Sequence, residues 1–240
     1  MNFTGETKVR DIALANPGAT QILEQAGVDY CCGGDRSLRD ACVHAGVSTE
    51  EIMARLQANS TNVGLADAAW VSAPLADLTR HILEKHHQYV REAIPRIRTL
   101  AGKVREKHGE KHPEIVDIEK LFLQVGRELI MHMQKEEQIL FPYIEGLERA
   151  ANGPEAIEPP FFQTVKNPVH AMMEEHDAAA ALMNQIRAAS SAYTAPTDAC
   201  ASYRALYRDL HEFETDLHQH VHLENNILFP RAVELEVRVL

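Results

Sequence analysis

The chain has 240 residues, with 35 acidic against 24 basic side chains and a formal net charge of −11 at pH 7. An acidic chain with no basic stripe is a poor partner for nucleic acid or anionic lipid, both of which bind through cationic side chains. No apolar run approaches the ~20 residues of a membrane span, and the opening MNFTGETKVRDIALANPG has no apolar stretch of signal-peptide type, so the expected compartment is the cytoplasm.

Residues 1–58 read as a small helical domain. Asn16-Pro17 suit an N-cap and first helical position, and Gly27 is a natural stop. The turn Asp29-Tyr30-Cys31-Cys32-Gly33-Gly34 follows. Ser37 with Asp40, and Ser48 with Glu51, are helix-start patterns. Residues 59–73 (NSTNVGLADAAWVSA) hold no sustained period and read as a linker. Pro74 opens a helical region, 74–240, in which four helices fit at roughly 74–106, 114–149, 166–192 and 197–236. No alternating strand pattern competes. The expected fold is all-α: an antiparallel four-helix bundle with a small helical N-terminal domain.

One pattern occurs twice in that region, H-x-x-x-E-x-x-I-L-F-P. The first copy runs from His132 through Glu136 to Pro142, the second from His220 through Glu224 to Pro230. Residues at i and i+4 share a helix face, so each copy can aim one imidazole and one carboxylate at a common point. His87 and His176 fall on the other two helices. All six residues sit on stripes that step by three or four among apolar residues: Leu83, His87, Val90, Ile94 and Ile97 in the first helix, and Val125, Leu129, His132, Glu136, Leu140 and Tyr143 in the second.

Four imidazoles and two carboxylates on inward stripes suit a dinuclear metal centre. With both glutamates bridging, roughly two positions on each octahedral ion stay open for an oxo or hydroxo bridge and an outside ligand. The mixed donor set suits iron or manganese, with iron the first choice, rather than calcium or magnesium. A lone core histidine needs no metal, but burying two carboxylates without a cation would cost several kcal/mol each. The other nine histidines read as surface residues or outer partners of the ligands, and His86 is the nearest competitor of His87. Glu137 and Glu175 adjoin ligands and either orient an imidazole or are solvated charges.

Four cysteines, Cys31, Cys32, Cys42 and Cys200, are too few for a disulfide scaffold. Neighbours such as Cys31 and Cys32 bridge awkwardly. They read either as buried structural thiols or, given the two glycines, as an exposed reactive pair. Cys42 and Cys200 read as inert.

Taken together, D-Y-C-C-G-G at 29–34, S-A-P-L at 72–75, K-E-E-Q-I-L-F-P at 135–142, E-H-D at 175–177 and L-E-N-N-I-L-F-P at 223–230 resemble the hemerythrin-like domains. Over nearly the whole chain they resemble the repair-of-iron-centres family of the YtfE and ScdA type. The resemblance implies a pair of iron ions held by His87, His132, Glu136, His176, His220 and Glu224, with the glutamates bridging. It places the family's vicinal cysteines on Cys31 and Cys32, as redox or iron-transfer thiols. It further implies a role in restoring iron–sulfur clusters damaged by nitric oxide or peroxide, with iron–sulfur or cluster-assembly proteins as partners. Nitric oxide or dioxygen would be the small ligands. A scavenger or sensor of those gases, or a nitric oxide reductase, are the alternatives it leaves open.

Overall fold

The computed structural model describes residues 3–16, 18–58, 66–153, 157–158 and 160–240. Every regular element among them is helical, and an isolated antiparallel bridge joins Lys8 to Ser37. The helices are α1 (Val9–Ala15), α2 (Ala19–Gln25), α3 (Leu38–Ala45), α4 (Thr49–Ala58), α5 (Ala66–Ser72) and α6 (Leu75–His81). The chain continues through π1 (Ile82–His87), α7 (Gln88–His108), α8 (Glu114–Lys135), π2 (Glu136–Leu140) and α9 (Phe141–Asn152). Last come α10 (Lys166–Ala189), α11 (Ala201–Leu223), π3 (Glu224–Leu228) and α12 (Phe229–Val239). The all-α reading therefore holds. Pro17, residues 59–65 of the expected linker, and residues 154–156 and 159 of the second connection lie outside the described residues.

The chain divides into two compact units: Met1–Thr79 with Glu145–Glu158 and His218–Leu240, and Arg80–Ile144 with Pro159–Leu217. In the first, α1 to α4 enclose a core that includes Val9, Ile12, Leu23, Leu38, Ile52 and Leu56, all closed to solvent. Cys42 belongs to this core, consistent with an inert thiol. Ser37 caps α3 by accepting the N–H of Asp40, and Ser48 takes the N–H of Glu51. After α2 the chain turns at Gly27 with φ +68°, a left-handed conformation that favours glycine. The expected cap at Asn16 is corrected: α2 begins at Ala19 with Gly18 as N-cap, and the Asn16 side chain accepts the Gly18 N–H instead.

Part of the stretch read as a linker forms α5. Its C-terminal end is held by Arg231, which donates to the carbonyls of Trp70 and Ala73. The carboxylate of Glu148 accepts the N–H groups of Leu75 and Ala76 at 2.7 and 2.9 Å. It thereby satisfies donors that the first turn of α6 leaves open.

In the second unit, α7, α8, α10 and the main length of α11 bury stripes that step by three or four. Examples are Val90, Ala93, Ile97, Ala101 and Val104 on α7, and Ile115, Ile118, Phe122, Val125 and Leu129 on α8. Phe122 meets Phe213 edge-on at 5.2 Å. The expected stripes shift by one residue in two places. Ile82 and Ala93 are buried where Leu83 and Ile94 are half-buried, and Ile144 and Leu147 are buried where Tyr143 is half-buried. The π segments account for the slips at Ile82 and Ile144, because each adds a residue to its turn. The third helix ends at Ala189 rather than 192, and Ser191, Ala192 and Tyr193 all take positive φ.

Candidate metal centre

Within the second unit, four of the expected ligands come together: His87, His132, Glu136 and His176, each at most 2% exposed. His87 Nε2 and His132 Nε2 both lie 3.3 Å from the same oxygen, Glu136 Oε2. His132 Nε2 lies 3.0 Å from His176 Nε2. The ligand atoms of His132, Glu136 and His176 fall within 4.8 Å of one another.

The backbone that delivers them is unusual. His87 ends π1 and Glu136 begins π2. The N–H groups of Gln88 and Phe141 reach back five residues, to Leu83 and Glu136. Proline favours the second case: Pro142 has no N–H, and its ring crowds the carbonyl four residues earlier, so a widened turn just ahead gives it room. No proline follows π1 as closely, so the need to keep both ligand and core register suffices there.

Outer carboxylates set the imidazoles. His87 Nδ1 donates to Glu137 at 2.6 Å, and Glu137 is also held by Arg91. Burial pushes the Glu137 carboxyl up, but these hydrogen bonds outweigh it and hold the group below its ordinary value. His132 Nδ1 donates to Glu175 at 3.0 Å, and Lys135 pairs with the same carboxylate. The hydrogen bond from His132, opposed by burial and aided by Lys135, lowers Glu175 to about 2. Glu137 and Glu175 are therefore each tied to the imidazole of an expected ligand rather than left as solvated charges. A groove of about 420 Å³ between α8 and α10, lined by Met131, Lys135, Glu175, Ala178 and Ala179, reaches His132.

The second copy of the pattern lies in the first unit. His220 Nε2 is 3.0 Å from Glu224 Oε1, and both residues are closed to solvent. Glu224 begins π3, Phe229 N–H bonds to its carbonyl, and Pro230 follows.

These donors fit iron. The Nε2 atoms of His87 and His132 both face Glu136 Oε2, a mixed nitrogen and oxygen donor set that suits iron. Donors bound at right angles about 2.1 Å from an ion sit about 3.0 Å apart, close to the 3.0 and 3.3 Å found here.

Comparison with known proteins agrees. The hemerythrin HHE cation-binding domain family matches residues 78–232, and a domain of unknown function, DUF542, matches residues 5–60. A probable iron–sulfur cluster repair protein of Haemophilus influenzae is 35% identical over 97% of this chain and 99% of its own length. The iron–sulfur cluster repair protein YtfE of Yersinia pestis is 35% identical over 94% of this chain and 96% of its own. The chain belongs to the hemerythrin-type, YtfE-like repair family.

The thiol turn at residues 29–34 is organised by Asp29. Its Oδ1 accepts the N–H groups of Cys31 and Cys32, and its Oδ2 that of Gly33. Cys31 is buried at 4% exposure and Cys32 is half-buried, so the pair is not fully exposed. The hydrogen bond with Cys32, then burial and the neighbouring charges, push the Cys31 thiol well up. Asn225 donates to the carbonyl of Cys31 and Asn226 to that of Tyr30. A Cβ on Gly34 would lie 2.8 Å from the Asn226 side-chain oxygen, so glycine is needed for this approach.

Several functional features escaped the sequence. The π segments carry no residue signature beyond the prolines. His86 and His222, read as surface or outer residues, are buried, and His86 Nδ1 lies 2.9 Å from Asp216. The stripe through Leu83 and Val90 favoured His87 over His86; π1 buries both, and what sets His87 apart is that it faces Glu136. No helix among the described residues is long and apolar enough to cross a membrane.

Proposed function

We propose that this chain is a cytoplasmic di-iron protein that supports repair of iron–sulfur clusters damaged by nitrosative or oxidative stress, by donating iron to damaged clusters or to cluster-assembly proteins. His87, His132, Glu136, His176, His220 and Glu224 would hold the two iron ions, with Glu136 and Glu224 as the carboxylate ligands. Cys31 and Cys32 serve as redox or iron-transfer thiols.

The observation that carries the reading is Glu136: a fully buried carboxylate facing two imidazoles whose other nitrogens are tied to acids. The repair named for the Haemophilus and Yersinia relatives supplies the biological setting. Bound iron would supply open coordination positions and a releasable cargo. The protein's own groups exclude water, fix the imidazole tautomers and neutralise the site. Replacing Glu136 and Glu224 together by alanine tests the proposal. Iron content and the ability to restore a nitric-oxide-damaged iron–sulfur protein should fall together, whereas retained iron and unchanged repair would rule it out.

A second reading is a nitric oxide or dioxygen scavenger or sensor, favoured by the groove that reaches His132. Replacing Cys31 and Cys32 by alanine separates the two. Gas binding that persists while repair is lost assigns repair; gas binding and repair both unchanged would favour the gas-binding reading. Nitrous oxide formation with a defined electron donor would assign a reductase.

A further inference from the structure

Three ligand-type groups meet in the thiol turn, none of them among the six expected iron ligands. Cys31 Sγ lies 3.4 Å from Asp29 Oδ1 and 3.9 Å from Cys32 Sγ. The ligand atoms of all three residues fall within 4.8 Å of one another. A divalent cation in a tetrahedral site sits about 2.3 Å from sulfur and about 2.0 Å from a carboxylate oxygen. Those lengths separate two sulfurs by about 3.8 Å, and a sulfur from an oxygen by about 3.5 Å. The distances in the turn match both edges of such a tetrahedron.

We propose that Asp29, Cys31 and Cys32 form a binding site for a thiophilic divalent cation, separate from the histidine–glutamate centre. The turn is built in advance of the ion. Three backbone N–H groups fix the Asp29 carboxylate, and a Cβ on Gly33 would fall 2.9 Å from its Oδ2. Asn225 and Asn226 fix the carbonyls behind the thiols. A disulfide is the poorer alternative, because the sulfurs would have to close from 3.9 Å to about 2.05 Å between adjacent residues. Asp29 is exposed and Cys32 half-exposed, which leaves the fourth position open to water or to a donor from another protein. The proposal stands whether or not the repair reading does, since it needs only this turn.

Cadmium(II) is the probe, added to the reduced, iron-loaded full-length protein. Its bond to thiolate gives an ultraviolet charge-transfer band that histidine and glutamate do not. The expected result is one cadmium bound per chain, the band present, up to two protons released, and iron content unchanged. Cys31→Ser with Cys32→Ser should abolish the band and the bound cadmium while leaving iron in place. Asp29→Asn should weaken binding at least tenfold, with iron content and the unfolding midpoint unchanged. X-ray absorption of the wild-type cadmium form gives a reading that needs no variant: two sulfur neighbours with oxygen support the site. The proposal is overturned if the wild type binds no cadmium, if the band survives loss of both cysteines, or if Asp29→Asn binds as wild type. A cadmium shell of nitrogen and oxygen alone also overturns it.

Discussion

His132 to Pro142 and His220 to Pro230 carry the same histidine, glutamate, five-residue π turn and proline, yet the residues just after the glutamate serve different ends. In the first copy Glu137 receives the Nδ1 proton of His87. In the second copy the equivalent Asn225 donates to the carbonyl of Cys31, and Asn226 beside it to that of Tyr30. One copy thus spends its next side chain on holding the His87 imidazole, and the other on anchoring the thiol turn. The shared part is what presents a buried carboxylate in a widened turn. The divergent part is polar, lies one or two residues on, and was free to change without moving the glutamate.

The largest expected effect comes from removing the carboxylates one at a time. If both copies serve one bridged pair, Glu136→Ala and Glu224→Ala should each lower bound iron at least tenfold. Metal analysis showing that each variant keeps about half the iron would mean that the copies hold independent ions and that the likeness between them is only local.

Next in size is the contrast at the following residue. Glu137→Gln should weaken iron binding by roughly 10- to 100-fold, the usual effect of losing a carboxylate that orients a metal-bound histidine. Asn225→Ala should leave iron affinity within about threefold while speeding alkylation of Cys31 and Cys32, because it loosens a carbonyl of the turn rather than a ligand. Competition with a chelator and thiol alkylation rates measure the two. Equal effects on iron from both substitutions would erase the division of labour.

A smaller effect sharpens the second copy. Gly34→Ala should destabilise the first unit by about 2 kcal/mol, the typical result of forcing a methyl group into occupied space. Much of that loss should return on adding Asn226→Ala, since the Asn226 oxygen is the nearest obstruction at 2.8 Å. Arg10 Cβ at 3.0 Å keeps the rescue incomplete. Denaturant unfolding of the two single variants and the double variant closes the cycle; purely additive losses would show that the contact is not what demands glycine.

This contrast also explains what was legible in the sequence. The helices and the buried places of His132, Glu136, His176, His220 and Glu224 follow from a period of three or four, which any amphipathic helix writes into its residues. Continuing that period through the π turns put Tyr143 where Ile144 belongs, because an inserted residue leaves no mark in composition. The anchoring asparagines were visible as letters in L-E-N-N-I-L-F-P, but their partners, the carbonyls of Tyr30 and Cys31, lie nearly two hundred positions away. Asp29 was legible as a turn former. That its carboxylate lies 3.4 Å from the Cys31 sulfur depends on backbone angles that no spacing rule supplies.

The smallest effect concerns why the turns widen at all. Pro142 and Pro230 supply one cause, the missing N–H and the crowded ring. The burial of Leu140, Phe141, Ile144 and Leu147 supplies another, since an ordinary turn at Glu136–Leu140 would rotate that whole stripe off the core by about 100°. Returning Glu136–Leu140 to an α-turn would therefore expose several large side chains, at about 1.5–3 kcal/mol each, whereas a widened turn forfeits only a hydrogen bond or so of backbone geometry. On that balance packing wins, and π1, which has no proline so close behind it, shows that packing and ligand placement can do this alone. Pro142→Ala should consequently keep the π turn and change iron content by less than about twofold. Collapse of iron binding in that variant would hand the decisive role to the proline, and would imply that the two copies are held in shape by their shared I-L-F-P rather than by the cores they each face.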